Sequence, residues 1–397
     1  MAKIALAMRI ISLFSGIGGL EHSLHSPILA CEMDQAAQKV LRARFPRTPI
    51  EPDVLALGKV DDAELVLGGW PCQDLSVAGK QAGLAGNRSR LFYEMLRIAK
   101  ASAAETLIAE NVPNLLRLSK GAEMREVIRA IHEAGFQHVS WRILNAREFG
   151  LPHQRRRVFI VASKRLGAAE SLHRPIPKSL TQPHDLPFES AGFYWTAGTH
   201  GICYSSGFVP TLKVGSGLSI PSPIAIHHES GVRRLSPSEA FRLQGFDPAL
   251  NELVRKGDAF RLAGNAVARP VGEFVVASQS AELDSELSYG SFGTITDAGI
   301  SSNGQIRGVS HLPVELARNL HQFLDASDPA DPLGRRAASG LLRRLRRSDK
   351  PCPDRLWEDL CAEAGEPLVF RSDTARRTSD FQRHLTVAPE QEAFKFG

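Results

Sequence analysis

The sequence predicts an α/β fold, a doubly wound, mostly parallel sheet with helices on both faces, joined to a small second domain and a helical C-terminal appendage. Three observations predict it. Through residues 1–165, short apolar runs alternate with amphipathic helical stretches. A glycine-rich turn, Ser15, Gly16, Ile17, Gly18, Gly19, follows the first run and opens the carboxyl edge of the sheet, where such folds hold nucleotide-like ligands. From about Leu166 to Arg233 the alternation breaks into Pro, Ser, Gly and His with scattered aromatics, including Tyr194 and Trp195.

Ile10 to Phe14 is the first strand, and Ile28 to Cys31 the second, closing on Glu32. Glu32 is placed to accept hydrogen bonds from ribose hydroxyls, and Met33 to lie on an adenine face. The competing reading makes Glu32 a charge at the start of the helix Asp34 to Phe45. Asp53 and Val54 stand where a third strand ends, unless Asp53 is a plain turn residue. Leu65 to Leu67 leads through Gly68, Gly69 and Trp70 into Pro71, Cys72 and Gln73. After a helix from Leu91 to Ala101, Thr106 to Ala109 leads into Glu110, Asn111 and Val112. A helix from Ala122 to Ala134 and strands at Val139 to Leu144 and Val158 to Ala162 complete the alternation.

A strand that delivers a cysteine and a strand that delivers a carboxylate suggest a nucleophile paired with an acid. Thiolate is the strong nucleophile among common side chains near neutral pH, and a Gly/Pro loop at a strand end can present it. A cysteine taken alone is more often a small buried hydrophobe. The surrounding motifs decide between the two.

Phe14 to Gly19, then Pro71, Cys72, Gln73, then Glu110, Asn111, Val112 are followed by Gly150, Leu151, Pro152, His153, Gln154, Arg155, Arg156, Arg157, Val158, Phe159. Arg234, Leu235, Ser236, with Glu239 and Arg242 to Phe246, come next, and Gly264, Asn265, Ala266, Val267 close the series. In order and spacing these closely resemble the DNA cytosine-5 methyltransferases of bacterial and phage type, over roughly residues 9 to 277.

The resemblance implies a Rossmann-like, class I S-adenosylmethionine-dependent methyltransferase acting on duplex DNA. Cofactor-binding positions carried over are Phe14, Ser15, Gly16, Ile17, Gly18, Gly19, Glu32, Met33, Asp53, Val54, Pro71, Asn265 and Val267. Cys72 becomes the nucleophile that adds to carbon 6 of cytosine, and Glu110, its pKa raised by burial, the acid at N3. Arg155 and Arg157 become the pair that holds the ring O2 and a neighbouring phosphate. Because carbon 6 is covered inside a duplex, the base must be flipped out. The polar, glycine-rich, basic stretch after Cys72, with Ser76, Lys80 and Arg88, is read as a mobile loop closing on DNA; Arg234 and Arg242 are further DNA-contact candidates. Two departures stand out: Met33 where the family often has an aromatic, and His153 where it usually has glutamine. Met33 can still cover an adenine through its polarizable thioether.

Composition is consistent with this. A net charge of +5 and a pI near 9.0 suit a polyanion partner. The 397 residues, 43% hydrophobic, can bury a full core in two or three domains. Five scattered cysteines form neither a metal-ligand cluster nor a disulfide framework, so no metal is expected and a reduced, cytoplasmic setting is, whether bacterial or phage-encoded. With no long apolar segment or leader, no membrane association is expected. A monomer is expected, and the reading leaves room for a cognate restriction endonuclease.

The domains read as 1–165, a catalytic S-adenosylmethionine-binding domain; 166–263, a target recognition domain; 264–280, a helix returning to the catalytic domain; 281–309, a Ser/Gly-rich linker; and 310–397, a helical appendage of unassigned role. Leu316, Leu320, Phe323 and Leu324 recur at helical spacing, as do Leu341, Leu342 and Leu345 in a run carrying Arg335, Arg336, Arg343, Arg344, Arg346 and Arg347. Truncation near Ala281 is therefore expected to leave a soluble enzyme. Lys213 and His227 are candidates for reading bases in the major groove, with the ordinary surface residue as the stronger reading of each. Two rival functions remain, cytosine-5 methylation of RNA, transfer RNA in particular, and a catalytically inactive DNA-binding relic. The separate RNA family uses two motif cysteines, and the Cys, Phe, Thr hallmark of the DNA-type lineage acting on transfer RNA is absent.

Overall fold

The computed structural model describes residues 8–21, 26–71, 90–176, 190–194, 202–213, 224–280, 287–311, 314, 316–325, 332–347 and 352–368. Cys72, Gln73, Ser76, Lys80, Arg88, Trp195 and Ala281 lie outside them.

Strands β1 (Ile10–Leu13), β2 (Leu29–Cys31), β3 (Ile50–Glu51), β4 (Leu65–Gly69) and β5 (Thr106–Asn111) are mutually parallel, in the order β3-β2-β1-β4-β5. β6 (His138–Asn145) and β7 (Arg156–Ser163) are joined by a connection too short for a crossover, so they pair antiparallel. β7 also pairs antiparallel with β5 and sits between β5 and β6. Every strand of this part except β7 therefore points the same way, which makes it mostly parallel and doubly wound.

The strands alternate between two apolar layers. Ile11, Leu13, Val66, Leu107, Ala109, Trp141 and Ile160 face α2 (Arg90–Ala101) and α3 (Ala122–Glu133), which bury Phe92, Met95, Met124 and Val127 at helical spacing. Ile10, Leu65, Leu67, Ile108, Phe159 and Val161 face the other side, where Val271, Phe274 and Val275 of a returning helix lie. Near the amino end, α1 (Gln35–Arg44) is capped by Asp34, whose carboxylate accepts from the Ala36 and Ala37 amides. The short α4 (Leu166–Glu170), with Leu172 and Ile176, packs on the main sheet rather than on the second domain.

The second sheet has the order β11-β10-β8-β9, from β8 (Ala191–Tyr194), β9 (Ser205–Ser206), β10 (Ile224–His228) and β11 (Gly231–Arg234). Its Tyr194, Ile224 and Ile226 face a layer shared with α5 (Pro237–Arg242) and α6 (Lys256–Asn265) and with Ile17 and Val40 of the main domain. The returning helix α7 (Arg269–Ala277) follows. Ser236 and Glu239 form a capping box at α5, and Glu239, fully buried, takes both guanidinium nitrogens of Arg233 at 2.9 and 2.6 Å.

The stretch expected as a linker is sheet. β12 (Tyr289–Phe292), β13 (Ala298–Ser302) and β14 (Gln305–Val309) extend the main sheet to ten strands, with β13 pairing antiparallel along β6 from Ala298↔Arg142 to Ser302↔His138. A free β6 edge would leave backbone groups unpaired, and glycine and serine can satisfy them as well as larger residues do. Gly299 is required there, because a Cβ would collide with the Trp141 ring.

Leu316 to Leu324 form no α-helix; a single 3₁₀ turn at Leu320–Phe323 plugs Leu320 into the layer beneath α5 and α6. α8 (Arg335–Arg347) and α9 (Asp354–Ala364) do form, and they cover the outer face of the second sheet. Phe193, Ala225 and Val232 pack there against Leu341, Leu342, Leu345, Leu356 and Trp357. This body is part of the second domain, and the expected solubility of a chain cut near Ala281 does not fit it. His227, expected at the surface, is 1% exposed, bonded to Tyr204 Oη at 2.7 Å and to Asp359 Oδ2 of α9 at 2.8 Å. Among the described residues no helix is long and apolar enough to cross a membrane, and no cluster could hold a metal.

Candidate active site

The carboxyl ends of β1, β2, β4 and β5 converge with β7 on one edge. Phe14 and Gly16 adopt left-handed backbone (φ 53° and 56°), which turns the chain sharply out of β1. The turn is closed by the Gly18 amide on the Ser15 carbonyl at 2.8 Å. Gly19 packs so tightly against the segment leading into α7 that a Cβ would collide with the Val267 carbonyl, so Val267 is held directly beneath the loop. Asn265 is exposed just before it.

Glu32 leaves β2 with both oxygens engaged from one side, Oε2 by the Gly16 amide and Oε1 by the Asp34 amide, each at 2.7 Å. Those bonds fix its carboxylate against the glycine loop and leave each oxygen capacity for a hydroxyl donor. Burial nevertheless pushes its pKa up. Met33 beside it is 79% exposed, an apolar side chain standing open at the ligand edge. Asp53 is exposed and spends one oxygen on the Leu55 amide at 2.9 Å, while Val54 is buried. This donor set fits S-adenosylmethionine: a carboxylate for the ribose, a thioether face for the adenine and, at Gly16, backbone with open space where a Cβ would stand, for close approach.

Sequence reasoning missed several supports. Arg44, on α1, donates to the Ile17 carbonyl at 2.6 Å and to Gly18, and its guanidinium lies between the rings of Phe45 and Phe246. Glu21, fully buried with its pKa raised by that burial, accepts from Ser12 Oγ at 2.5 Å. Arg261 of α6 grips Asp34 and thereby ties the Glu32–Met33 turn to the closing motif. Only Asp34 carried a readable signal, as the first residue of the expected helix.

At the end of β5, Glu110 lies buried beside the end of β4. Its carboxylate pairs with Arg157 Nε at 3.0 Å. Burial pushes the Glu110 pKa up, while Arg157 and Arg155 pull it the other way. A Cβ on Gly69 would sit 2.8 Å from Glu110 Oε2, so glycine at that position is what gives the carboxylate its space. Asn111 donates from Nδ2 to the Trp70 carbonyl at 3.2 Å. The two strand ends are thus latched together, and Pro71 leads directly into Cys72, whose own placement lies outside the described residues.

Arg155 is buried at the same seam, its amide held by Asn145 Oδ1 at 3.2 Å. His153 is fully buried and neutral, its pKa held well below the ordinary value by burial and by Arg155 and Arg157, with the Leu243 backbone acting in the opposite sense. Its Nε2 accepts from the Leu212 amide at 3.0 Å, which a glutamine carbonyl at this position could also do.

Arg234 and Arg242, the further DNA-contact candidates, are engaged within the protein. Arg242 holds the Phe323 carbonyl at 2.7 Å and pairs with Asp325, and Arg234 donates to the Leu333 carbonyl at 3.1 Å. Both tie the C-terminal segment to the second domain, a partner that the motif alone could not reveal.

The chain is similar to several known proteins. The type II methyltransferase M2.BsuMI of Bacillus subtilis (strain 168) is 33% identical over 296 residues, covering 68% of this chain and 74% of that one. M.HaeII of Haemophilus aegyptius is 28% identical over 302 residues, covering 69% and 93%. The solved S. pombe Dnmt2 methyltransferase matches at a TM-score of 0.49 with 17% identity, covering 68% of this chain and 98% of that one. The family described as C-5 cytosine-specific DNA methylase matches residues 8–191 and 193–280, and with the glycine loop, Glu32 and the Glu110–Arg157 pair assembled on one sheet edge, the chain belongs to that family.

Proposed function

We propose that this protein transfers a methyl group from S-adenosylmethionine to carbon 5 of cytosine in a specific duplex DNA sequence, through transient addition of Cys72 to carbon 6. The observation that carries the mechanism is the buried Glu110–Arg157 pair beside the Gly69–Trp70–Pro71 segment that leads into Cys72.

The cytosine ring is a poor nucleophile at carbon 5 until carbon 6 is attacked. As Cys72 Sγ bonds to carbon 6, the 5,6 π electrons shift toward carbons 4 and 5 and the displaced pair reaches N3. Glu110 gives N3 its proton, and burial, which raises its pKa against the pull of Arg157 and Arg155, favours the protonated form that this step needs. Arg157, anchored by Glu110, holds positive charge where the ring O2 and the thiolate gather negative charge. S-adenosylmethionine, when bound, supplies the methyl group from its sulfonium, and Gly16, Glu32, Met33 and Val267 are the groups that would hold it. Loss of the carbon 5 proton then restores the 5,6 bond, expels Cys72 and returns the N3 proton to Glu110. On this reading the protein acts as a monomer in the cytoplasm, with room for a cognate restriction endonuclease.

Cys72→Ser tests this reading: methyl transfer should vanish while folding and S-adenosylmethionine binding persist, because a hydroxyl of ordinary pKa is a far weaker nucleophile. Duplex DNA carrying 5-fluorocytosine should trap a covalent adduct with the wild-type enzyme, since fluorine cannot leave as a proton does. An active enzyme that forms no adduct refutes the carbon 6 attack, and methylation of transfer RNA in preference to duplex DNA refutes the substrate.

A further inference from the structure

The α8–α9 body lies outside the family's matched residues, yet it is built into the second domain. Alternate residues of the second sheet bury opposite ways: Tyr194, Ile224 and Ile226 toward α5 and α6, Phe193, Ala225 and Val232 toward α8 and α9. The sheet is therefore covered on both faces. Arg234 on Leu333, the bridge between Arg233 and Pro332, and the Tyr204–His227–Asp359 chain fasten the covering layer in place.

α8 itself divides cleanly. Ala338, Leu341, Leu342 and Leu345 form its buried face. Arg336 and Arg343 are exposed on the opposite face, two turns apart, or about 10 Å along the axis. Gly340 lies between them, and nothing stands within 4 Å of where its Cβ would be, so a bulky partner can come close to the helix backbone. The helix carries no acidic residue. Glu366, the carboxylate near this face, pairs with Arg346 at 2.7 Å, and Arg343 also attracts it without forming an ion pair with it. Arg336 and Arg343 form no salt bridge among the described residues.

We propose that Arg336 and Arg343 bind the phosphate backbone of duplex DNA flanking the target site, so that α8 is a second, sequence-independent contact of the recognition domain. This rests on the reading of the protein as a DNA methyltransferase. Such a contact supplies affinity and orientation but no base readout.

The experiment measures binding of a fluorescently labelled duplex to the full chain over a salt series, with methyl transfer to duplex DNA followed in parallel. Arg336→Ala/Arg343→Ala should flatten the log–log salt dependence by nearly two units, about 0.9 for each phosphate no longer neutralised, and leave kcat at saturating duplex unchanged. Arg336→Lys/Arg343→Lys should restore the slope, because lysine still neutralises a phosphate. Lys59→Ala/Lys100→Ala, which removes the same charge from exposed positions on the main domain, should keep the wild-type slope. A wild-type enzyme that methylates DNA while the arginine variant keeps its slope overturns the α8 contact alone. The contact is equally overturned if the main-domain control flattens the slope as much. A wild-type chain with neither duplex binding nor methyl transfer overturns the methyltransferase reading as well.

Discussion

Leu342→Ala is the sharpest test of whether the C-terminal helices belong to the second domain. Leu342 is 0% exposed, on the face of α8 that meets α9 and the Phe193, Ala225 and Val232 face of the second sheet. Truncating such a leucine loses the transfer free energy of the deleted carbons and leaves a cavity, about 2–5 kcal/mol together. The upper half of that range applies where surroundings cannot collapse. Here α9 is pinned by Asp359 on His227 at 2.8 Å, by the Gly334 amide on Glu363 at 2.8 Å and by Arg346 on Glu366. A loss of about 3–5 kcal/mol is expected, a large share of the roughly 5–15 kcal/mol that stabilises a whole domain. Urea denaturation followed by fluorescence should show the unfolding free energy fall by that amount, with the midpoint lowered by that amount divided by the m-value, and DNA binding should fail at the same urea concentration. A cost below about 1 kcal/mol, or DNA binding that survives after α8 and α9 have melted, would refute the reasoning. A chain truncated after Ser280 should be insoluble for the same reason, since it bares the outer face of the second sheet and the edge of β6.

Glu110→Gln keeps the shape and removes the proton, so kcat should drop by about 10²–10⁴. The wild-type rate should fall as pH rises through the burial-raised Glu110 pKa, and that limb should be missing in the pH–rate profile of the glutamine variant. Glu32→Ala should weaken S-adenosylmethionine binding by about 1–3 kcal/mol in calorimetry, with an unchanged affinity showing that Glu32 serves only the Gly16 and Asp34 amides. Gly69→Ala places a Cβ 2.8 Å from Glu110 Oε2, and should cut methyl transfer while S-adenosylmethionine affinity holds; equal losses in both would mean the whole edge had shifted.

Most of the main domain was legible because its strands are apolar runs bounded by glycine, proline or acid, and its helices repeat at 3.6 residues. The expected strand from Thr106 to Ala109 became β5, extended only by Glu110 and Asn111. What failed were segments whose structure comes from a partner. β13 reads as linker because Gly299, Ser301 and Ser302 carry no pattern, yet it is ordered by the waiting edge of β6. Leu316 to Leu324 show helical spacing, but that chain crosses between Arg147 and the Gly207 carbonyl instead. Arg234, Arg242 and His227 looked available because sequence shows a side chain's chemistry and not its neighbour.

The Glu110–Arg157 pair shows how the fold converts motif order into geometry. Glu110 is directly opposite Phe159 in the antiparallel pairing of β5 with β7. Residues directly opposite point to the same face, and so do residues two apart along one strand, which places Arg157 and Arg155 on the face of Glu110. Arg157 is its diagonal neighbour, within reach of a long side chain, and the observed 3.0 Å contact follows. On the other flank the parallel pairing of β4 sets Gly69 level with Glu110, where any Cβ would intrude. A one-residue slip in either pairing would turn the arginines or the carboxylate to the opposite face. The inverted position of β7, forced by the short connection from β6, is therefore what lets an acid from one motif and a cation from another, distant in sequence, meet beside the strand that leads to Cys72.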